Sequence, residues 1–179
     1  GGYLTRTLGR EMLLWPGVCI VHEAFSETEL LKLEAQYPDA PIAAHPECPP
    51  HILDHADYVG STRGILDFAK SFPGDTLIVA TEPHIMHQME KALPEKNFIG
   101  APGADGNCNC NICPYMALNN MEKLYLALRD LEPRIEIEEG MRLKAKQSLD
   151  RMLEMASASV GQGDLGPVPA VGGDPRKGD

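Results

Sequence analysis

Short apolar segments alternate with amphipathic segments up to residue 100, and this alternation limits the fold more than any other feature. The predicted strands are residues 11–15, 41–44, 57–60, 76–81 and 97–100, with the sequences EMLLW, PIAA, DYVG, TLIVAT and NFIG. Amphipathic helices are predicted between them in SETELLKLEAQY, RGILDFAKSF and PHIMHQMEKAL. Apolar strands joined by helices are typical of a parallel sheet that helices cover. We therefore predict an α/β fold.

Start and stop signals define the helices and the end of the ordered chain. Ser26 is the predicted N-cap of the first helix, and Glu29 completes a capping-box pattern. After the cysteines, MALNNMEKLYLALRDL and EEGMRLKAKQSLDRMLEMA predict two more helices. The second of these has an apolar face made of Met141, Leu143, Leu149 and Met152. Residues 157–179 are rich in glycine and proline, so we predict a disordered tail there.

Composition and charge restrict the cellular setting and the partners. With 179 residues, 43% of them hydrophobic, the chain can bury one core, as a single domain or as a domain with a fragment of another. A net charge of −10 and the lack of any Lys/Arg run argue against binding to nucleic acid or anionic lipid. No apolar run approaches the roughly 20 residues of a bilayer span, and GGYLTRTLGREM lacks the apolar core of a signal peptide, so we expect neither feature. We expect a soluble cytoplasmic protein with neither nucleic acid nor membrane as a partner.

The cysteines point towards a metal. The chain has five of them, and three lie within CNCNICPYM, residues 108–116. In a reducing compartment an odd set of thiols suits metal ligation, redox chemistry or core packing better than a disulfide framework. Thiolates are soft ligands for zinc, copper(I) and iron-sulfur clusters, but Cys108, Cys110 and Cys113 cannot complete a four-coordinate site alone. Cys19, after the predicted strand 11–15, is a candidate partner, although Cys19 and Cys48 could equally be buried core residues.

Two polar loops follow predicted strands at the edge where α/β proteins bind ligands. In HPECP, His45 and Glu47 could together anchor an anion and transfer a proton, or they could simply form an exposed turn. In GSTRG, Ser61 and Thr62 open a helix whose N-terminus suits a carboxylate or phosphate, although Ser and Thr also cap helices for structural reasons alone. The other histidines receive no role; they are His22, His51, His55, His84 and His87.

Five segments together resemble the quinolinate synthase family, iron-sulfur enzymes of NAD (pyridine nucleotide) biosynthesis. They are WPGVCIVHEAF, HPECP, GSTRGI, IVATEPHI and CPYMALNNMEKLYLAL, and the resemblance runs from about Gly9 to Ala156. It implies three similar α/β layers around a pseudo-threefold axis, with a 4Fe-4S cluster held by one cysteine from each layer. Residues 1–25 would then end the preceding layer and carry a cluster cysteine loop, and residues 26–156 would form the C-terminal layer with its terminal helices.

The resemblance also implies a transferase reaction and its metal ligands. Iminoaspartate and dihydroxyacetone phosphate would condense, lose phosphate and water, and close to quinolinate. Cys19 and Cys113 match two of the three cluster ligands, and the third is expected in an N-terminal part missing from this sequence. Cys108 and Cys110 are one residue apart, which departs from the C-x-x-C-x-x-C redox pattern of some members. Cys48 is expected to be structural or to lie close to the site.

Substrate contacts are carried over in the same way. His45, Pro46 and Glu47 match the His-Pro-Glu of the family that binds substrate, with Glu47 as the general base. Thr62 matches a threonine that binds a substrate carboxylate, and Ser61 belongs to the same helix start. The family has a functional link to aspartate oxidase or aspartate dehydrogenase. Two alternatives stay open: a zinc-binding structural module without catalysis, and a catalytically incomplete fragment of the enzyme.

Overall fold

The computed structural model describes residues 1–104 and 111–160, with side chains as far as Ser157. The chain divides into two units, the first made of residues 1–117 and the second starting at Leu118. In the first unit the helices are α1 Gly2–Leu8, α2 Ile20–Glu23, α3 Glu27–Gln36, α4 Pro50–Leu53, α5 Thr62–Ser71 and α6 His84–Ala92. The strands are β1 Ile42–Ala44, β2 Tyr58–Val59, β3 Thr76–Ala80 and β4 Asn97–Gly100.

The four strands form one parallel sheet in the order β2-β1-β3-β4. Ala44 of β1 is paired with Val59 of β2 on one side and with Ala80 of β3 on the other. On the far side of β3, Val79 is paired with Gly100 at the end of β4. All four strands therefore end at the same edge of the sheet, and the predicted α/β fold is confirmed.

Helices cover both faces of the sheet, which explains why its strands are apolar at nearly every position. Successive side chains of a strand point to opposite faces. One face carries Ile42, Ala44, Ile78 and Ala80, which pack with Leu30 of α3 and Ile52 of α4. The other face carries Ala43, Leu77 and Val79, which pack with Ile65 of α5 and Met89 of α6. The sheet is thus the middle layer of three.

The start of α3 is where the sequence predicted it, but only half of the capping box is formed. The Ser26 hydroxyl accepts a hydrogen bond from the backbone N–H of Glu29 at 3.4 Å, so the predicted N-cap is confirmed. The Glu29 carboxylate does not return to Ser26 and instead pairs with Lys32 at 2.7 Å. The Ser26 N–H donates to the carbonyl of Pro102 at 3.1 Å, because the chain after β4 runs beside this helix start.

The strand predicted at residues 11–15 is wrong. This segment has no regular secondary structure, and its side chains are exposed, with Trp15 at 88%. An apolar run becomes a strand only where a neighbouring strand can accept its hydrogen bonds, and among residues 1–104 and 111–160 none is paired with it. The segment instead belongs to the connection between α1 and α2.

The second unit consists of helices whose apolar side chains are exposed. A short 3-10 helix, Met116–Leu118, precedes α7 Met121–Asp130 and α8 Glu139–Val160. The Asn120 side chain accepts a hydrogen bond from the Lys123 N–H at 2.9 Å and so caps α7. The predicted apolar positions of α8 are all exposed. The helix α8 extends beyond Ser157, where the disordered tail was predicted to begin, and residues 161–179 lie outside the described residues.

Within the described parts of the chain, no helix combines the length and the apolar character that a bilayer span requires. The predicted layer boundary between residues 25 and 26 stays a prediction.

Candidate active site

The carboxyl ends of β1 and β3 lie side by side at the centre of the sheet. From β1 the chain continues to β2 at one edge, and from β3 it continues to β4 at the other. Connections that leave neighbouring strands in opposite directions open a crevice, and open α/β sheets bind ligands there. The HPECP loop follows β1, and Thr81 and Glu82 follow β3. The fold therefore places these two loops at the position best suited to a site.

Backbone hydrogen bonds hold His45 and Glu47 at this edge. The His45 N–H donates to the Ala80 carbonyl at 2.9 Å, which extends the pairing of β1 and β3 by one residue. The His45 carbonyl accepts the Cys48 N–H at 2.9 Å and closes a tight turn. This turn leaves the Glu47 side chain 59% exposed, with its Oε2 3.6 Å from His45 Nδ1. The predicted position of both residues in a strand-end loop is confirmed.

His22, which the sequence reasoning assigned no role, lies at the centre of the group. It is 5% exposed, and its ring stacks on His45 with 4.5 Å between centroids and 12° between planes. Its Nε2 lies 3.3 Å from Thr81 Oγ1, and its Nδ1 lies 3.4 Å from Glu47 Oε2. The latter contact is not aligned as a hydrogen bond, so Nδ1 is a buried polar atom without a hydrogen-bond partner among the described residues.

Burial favours the neutral form of both histidines. It lowers the pKa of His22 below the ordinary 6.5, and the adjacent His45 lowers it further, while the carboxylates of Glu47 and Glu82 oppose the change. Burial also lowers the pKa of His45, against the opposing charge of Glu47. A neutral imidazole has a free lone pair, so each ring can accept a proton or ligate a metal near neutral pH.

Cys19 lies beside this pair of histidines. Its Sγ, a ring nitrogen of His22 and a carboxylate oxygen of Glu47 all lie within 4.8 Å of one another. Cys19 immediately precedes α2. After α2 and Ala24, Phe25 forms a β-bridge with Gly103, which follows β4, and this bridge attaches the segment to the sheet edge. The reason given from sequence, that Cys19 follows a strand, is wrong, but its place at the sheet edge does not depend on that strand.

Cys113 is held near the same edge by polar contacts from the ends of β3 and β4. The Glu82 carboxylate, on a side chain 13% exposed, accepts the Cys113 N–H at 3.3 Å and the His84 N–H at 2.9 Å. Burial raises the pKa of Glu82, but the hydrogen bonds from His84 and Cys113 outweigh it and lower the pKa overall. Asn111, which is fully buried, donates to the Ala101 carbonyl at 3.0 Å.

Cys48 belongs to the core and not to the ligand set. Its thiol is buried and donates to the Ala80 carbonyl at 3.4 Å. Burial raises its pKa to about 12, so without a metal the thiol is neutral at physiological pH. Cys48 thus lies in the core and also in the wall shared with Cys19 and Glu47, which agrees with both expectations, a structural thiol or one close to the site.

Ser61 and Thr62 open α5 directly after β2, as the sequence predicted. The Ser61 hydroxyl accepts the Gly64 N–H at 3.2 Å, and Thr62 is the first helical residue. The preceding Gly60 donates its N–H to the Ala44 carbonyl at 3.1 Å, so this loop adjoins the HPECP loop. No hydrogen bond or ion pair links Ser61 or Thr62 to His45 or Glu47 within the described part of the chain. Their role in binding therefore stays a prediction.

A cavity of about 570 Å³ opens onto the Cys19 and Glu47 side of the site. Its wall also includes Tyr3 and Arg6 of α1 and the Trp15 ring. This volume lies within the range of roughly 300–1,000 Å³ that is usual for small-molecule sites. The exposed carboxylate of Glu47 can therefore reach a small bound molecule.

The described donors fit an iron-sulfur cluster in part. Cys19 and Cys113 are both free, half-buried thiols on separate loops, and soft thiolates are the ligands such clusters use. The buried, unpartnered nitrogen of His22 lies on the same side as Cys19. Cys108 and Cys110, which the zinc alternative includes, lie outside the described residues.

The relationship to known proteins follows from comparison of sequences. The family model described as quinolinate synthetase A protein matches residues 1–154 of this chain. The chain belongs to this family. Proteins named quinolinate synthase are similar to it: one from Thermosynechococcus vestitus is 51% identical over 87% of this chain and 49% of its own length. Those from Cyanophora paradoxa and Microcystis aeruginosa are 51% and 52% identical over 88% and 87% of this chain.

Family membership confirms the resemblance recognised in the sequence. The match, however, covers only part of each relative. The chain spans 47% and 49% of the latter two relatives, so it corresponds to about half the length of the quinolinate synthases it matches. The match agrees with the C-terminal part of that family, as predicted.

Two residues of the site, Glu82 and His22, were not predicted from the sequence. Glu82 could have been found, because it follows a buried strand just as the HPECP and GSTRG loops do. His22 gave no comparable signal, since it is distant from His45 along the chain and its burial depends on tertiary packing.

Proposed function

We propose that the protein containing this chain is a quinolinate synthase, a transferase of NAD biosynthesis. It condenses iminoaspartate with dihydroxyacetone phosphate, and phosphate and water are lost as quinolinate forms. The observation that carries this proposal is the grouping of Cys19, His22 and Glu47, whose ligand atoms lie within 4.8 Å of one another beside the crevice at the carboxyl ends of β1 and β3. A soft metal ligand and a carboxylate base then lie next to one cavity, as a metal-assisted dehydration requires.

We assign Cys19 and Cys113 as two of the three cysteine ligands of a 4Fe-4S cluster. We expect the third from the part of the relatives' length that this chain does not span. When bound, the cluster supplies a Lewis-acidic iron that polarises a substrate hydroxyl or carboxylate for loss of water. Cys19 and Cys113 lie on separate loops, so their thiolates can approach a cluster from different directions. Cys48, a neutral buried thiol, takes no part in ligation.

Glu47 is the general base in this proposal. Its carboxylate is exposed to the cavity, and burial favours the neutral form of the two histidines beside it, so neither ring forms a strong ion pair with it. His45, stacked on His22, can take a proton at a ring nitrogen and return it. Pro46 fixes the backbone between these two residues. Together, His45, Pro46 and Glu47 bind and deprotonate the substrate.

Substrate anions are bound by backbone and side-chain donors. The N-terminus of α5 at Ser61 and Thr62 offers N–H groups to a carboxylate, and the Ser61 cap keeps this turn ordered. Arg6 lines the cavity, and its guanidinium also pairs with Asp54 at 2.8 Å. The imine substrate must come from oxidation of an amino acid, so we propose a functional link to aspartate oxidase or aspartate dehydrogenase. The free thiols suit the reducing cytoplasm.

The ligand assignment is tested in the full-length protein, purified without oxygen. Cys19→Ser and Cys113→Ser are expected to abolish retention of iron and acid-labile sulfide, whereas Cys108→Ser retains both. The wild-type protein is expected to be brown. A colourless wild-type protein that contains zinc and no sulfide would support the structural zinc module instead. Full iron and sulfide in the Cys113 variant would disprove the assignment of that ligand.

A further inference from the structure

The Glu82 carboxylate joins two segments of the chain that sequence places far apart. One oxygen, Oε1, accepts the backbone N–H of Cys113 at 3.3 Å and also contacts His84 Nδ1. The other oxygen, Oε2, accepts the backbone N–H of His84 at 2.9 Å, at the first residue of α6. The two oxygens therefore have separate tasks: Oε2 caps a helix, and Oε1 holds the main chain at Cys113.

The strand before Glu82 makes this contact well defined. β3 is an interior strand, hydrogen-bonded to β1 and β4, and its residues Leu77 to Ala80 are buried. Glu82 comes two residues after the strand ends, and its side chain is 13% exposed. A carboxylate on so rigid a base, shielded from water, makes a stronger hydrogen bond than one on a mobile surface loop.

Cys113 itself depends on few contacts. Asn111, two residues earlier, is tied to the Ala101 carbonyl at 3.0 Å. Beyond it, the Cys113 carbonyl accepts the Ala117 N–H at 3.0 Å, and the Sγ accepts the Met116 N–H at 3.5 Å. The turn from Cys113 to Ala117 thus fixes the thiol relative to its own backbone. Only the Glu82 contact, among the described hydrogen bonds of Cys113, ties that backbone to the sheet.

We propose that Glu82 is a positioning residue for Cys113. Its carboxylate sets where the Cys113 thiol lies relative to the sheet edge that carries His45 and Glu47. The inference rests on the proposed function, in which Cys113 ligates the cluster. Outer partners of metal ligands typically contribute about 10–100-fold to metal affinity. The carboxylate also places a negative charge close to the ligand, and such a charge disfavours reduction of the centre that the ligand holds.

A purely structural role of Glu82, as the cap of α6, makes different predictions. Glu82→Ala removes both tasks, whereas Glu82→Gln removes the charge and keeps one acceptor oxygen, which is enough for one of the two backbone N–H groups. His84→Ala deletes the ring contact but leaves both backbone N–H groups with their acceptor. Glu90→Gln, at an exposed position of α6, is the matched control for the loss of one negative charge.

The first measurement is independent of any cluster. Hydrogen exchange of the Cys113 amide is followed by NMR in the metal-free chain, beside the amides of the first turn of α6. Glu82→Ala is expected to accelerate exchange at Cys113 about tenfold or more, because a hydrogen bond to a charged acceptor is lost. Glu82→Gln, with one neutral acceptor oxygen left, is expected to restore part of the protection, and Glu90→Gln and His84→Ala to leave the wild-type protection unchanged. Acceleration confined to α6 would overturn the inference and leave only the cap.

The second measurement uses the full-length protein, reconstituted without oxygen. Glu82→Ala is expected to lower iron retention against a chelator by about 10–100-fold. Glu82→Gln is expected to retain the cluster but to raise its reduction potential relative to Glu90→Gln. Unchanged retention in Glu82→Ala would refute the positioning role even if exchange at Cys113 is faster. If the wild-type protein binds no iron, the proposed function fails with the cluster part of this inference, while the exchange data still decide the contact.

Discussion

Replacing Glu47 by glutamine separates chemistry from folding. The side chain is 59% exposed, and its nearest partners are ring nitrogens of His22 and His45 at 3.4 and 3.6 Å, both on rings whose neutral form burial favours. Because the Glu47 carboxylate is largely exposed and pairs with no Lys or Arg among the described residues, the near-isosteric Gln removes no buried ion pair, and the free energy of unfolding should change by less than about 1 kcal/mol. Loss of a general base instead lowers turnover by about 10²–10⁴-fold.

These two magnitudes can be measured on one preparation of the full-length protein. Quinolinate formation from iminoaspartate and dihydroxyacetone phosphate gives the turnover, iron and sulfide analysis gives the cluster content, and a urea titration gives the stability. Glu95→Gln, an exposed glutamate before β4, is the control and should match wild type in all three. Near-normal turnover of Glu47→Gln would refute the role as base. Loss of iron or of folding together with turnover would show that the residue is structural.

Three further predictions concern stability and completeness. Because the pKa of His22 and of His45 in the folded chain lies below the ordinary 6.5, the stability that these two groups contribute to the metal-free chain should be fully present above that pH and lost as the pH falls through the folded values. Urea titrations from about pH 7.5 to about pH 5 should show this fall, and His22→Gln should reduce it. Ile78→Ala, at a fully buried position of β3, should cost about 2–5 kcal/mol of unfolding free energy, and Leu13→Ala, at an exposed position, close to none. The 179-residue chain alone should bind iron weakly, associate in light scattering through its exposed apolar side chains, and make no quinolinate; robust quinolinate formation with a stoichiometric cluster would contradict this.

The fold was largely predictable because its strands are short, buried on both faces and bounded by polar turns. The β4 strand matches the prediction residue for residue, and β1, β2 and β3 differ only at their ends. The same local signal failed at residues 11–15. An apolar segment tends to be buried, but it forms a strand only if another strand lies beside it to share backbone hydrogen bonds. The sequence of the segment itself does not show whether such a strand is present.

The site was predictable where topology fixes it and unpredictable where packing does. The loops after β1 and β2 follow from the rule that parallel strands end at one edge, so His45, Glu47 and Ser61 could be placed from sequence. His22 could not, because its burial beneath His45 depends on the path of the chain around α2. The failure of the strand at 11–15 shows that this path was misjudged.

The two parts of the proposed site differ in what holds them in place. His45 is attached to the sheet by a backbone hydrogen bond to Ala80 that continues the β1–β3 ladder, and Glu47 lies in the turn that the backbone hydrogen bond from Cys48 to His45 closes. Side-chain changes around this turn should therefore leave both residues where they are. Cys113 is attached by side-chain contacts, from Glu82 and from Asn111 two residues away. A single substitution can therefore displace the thiol without disturbing the sheet. It follows that variants of these two anchors should lose metal before they lose fold, whereas variants in β1 or β3 should lose both together.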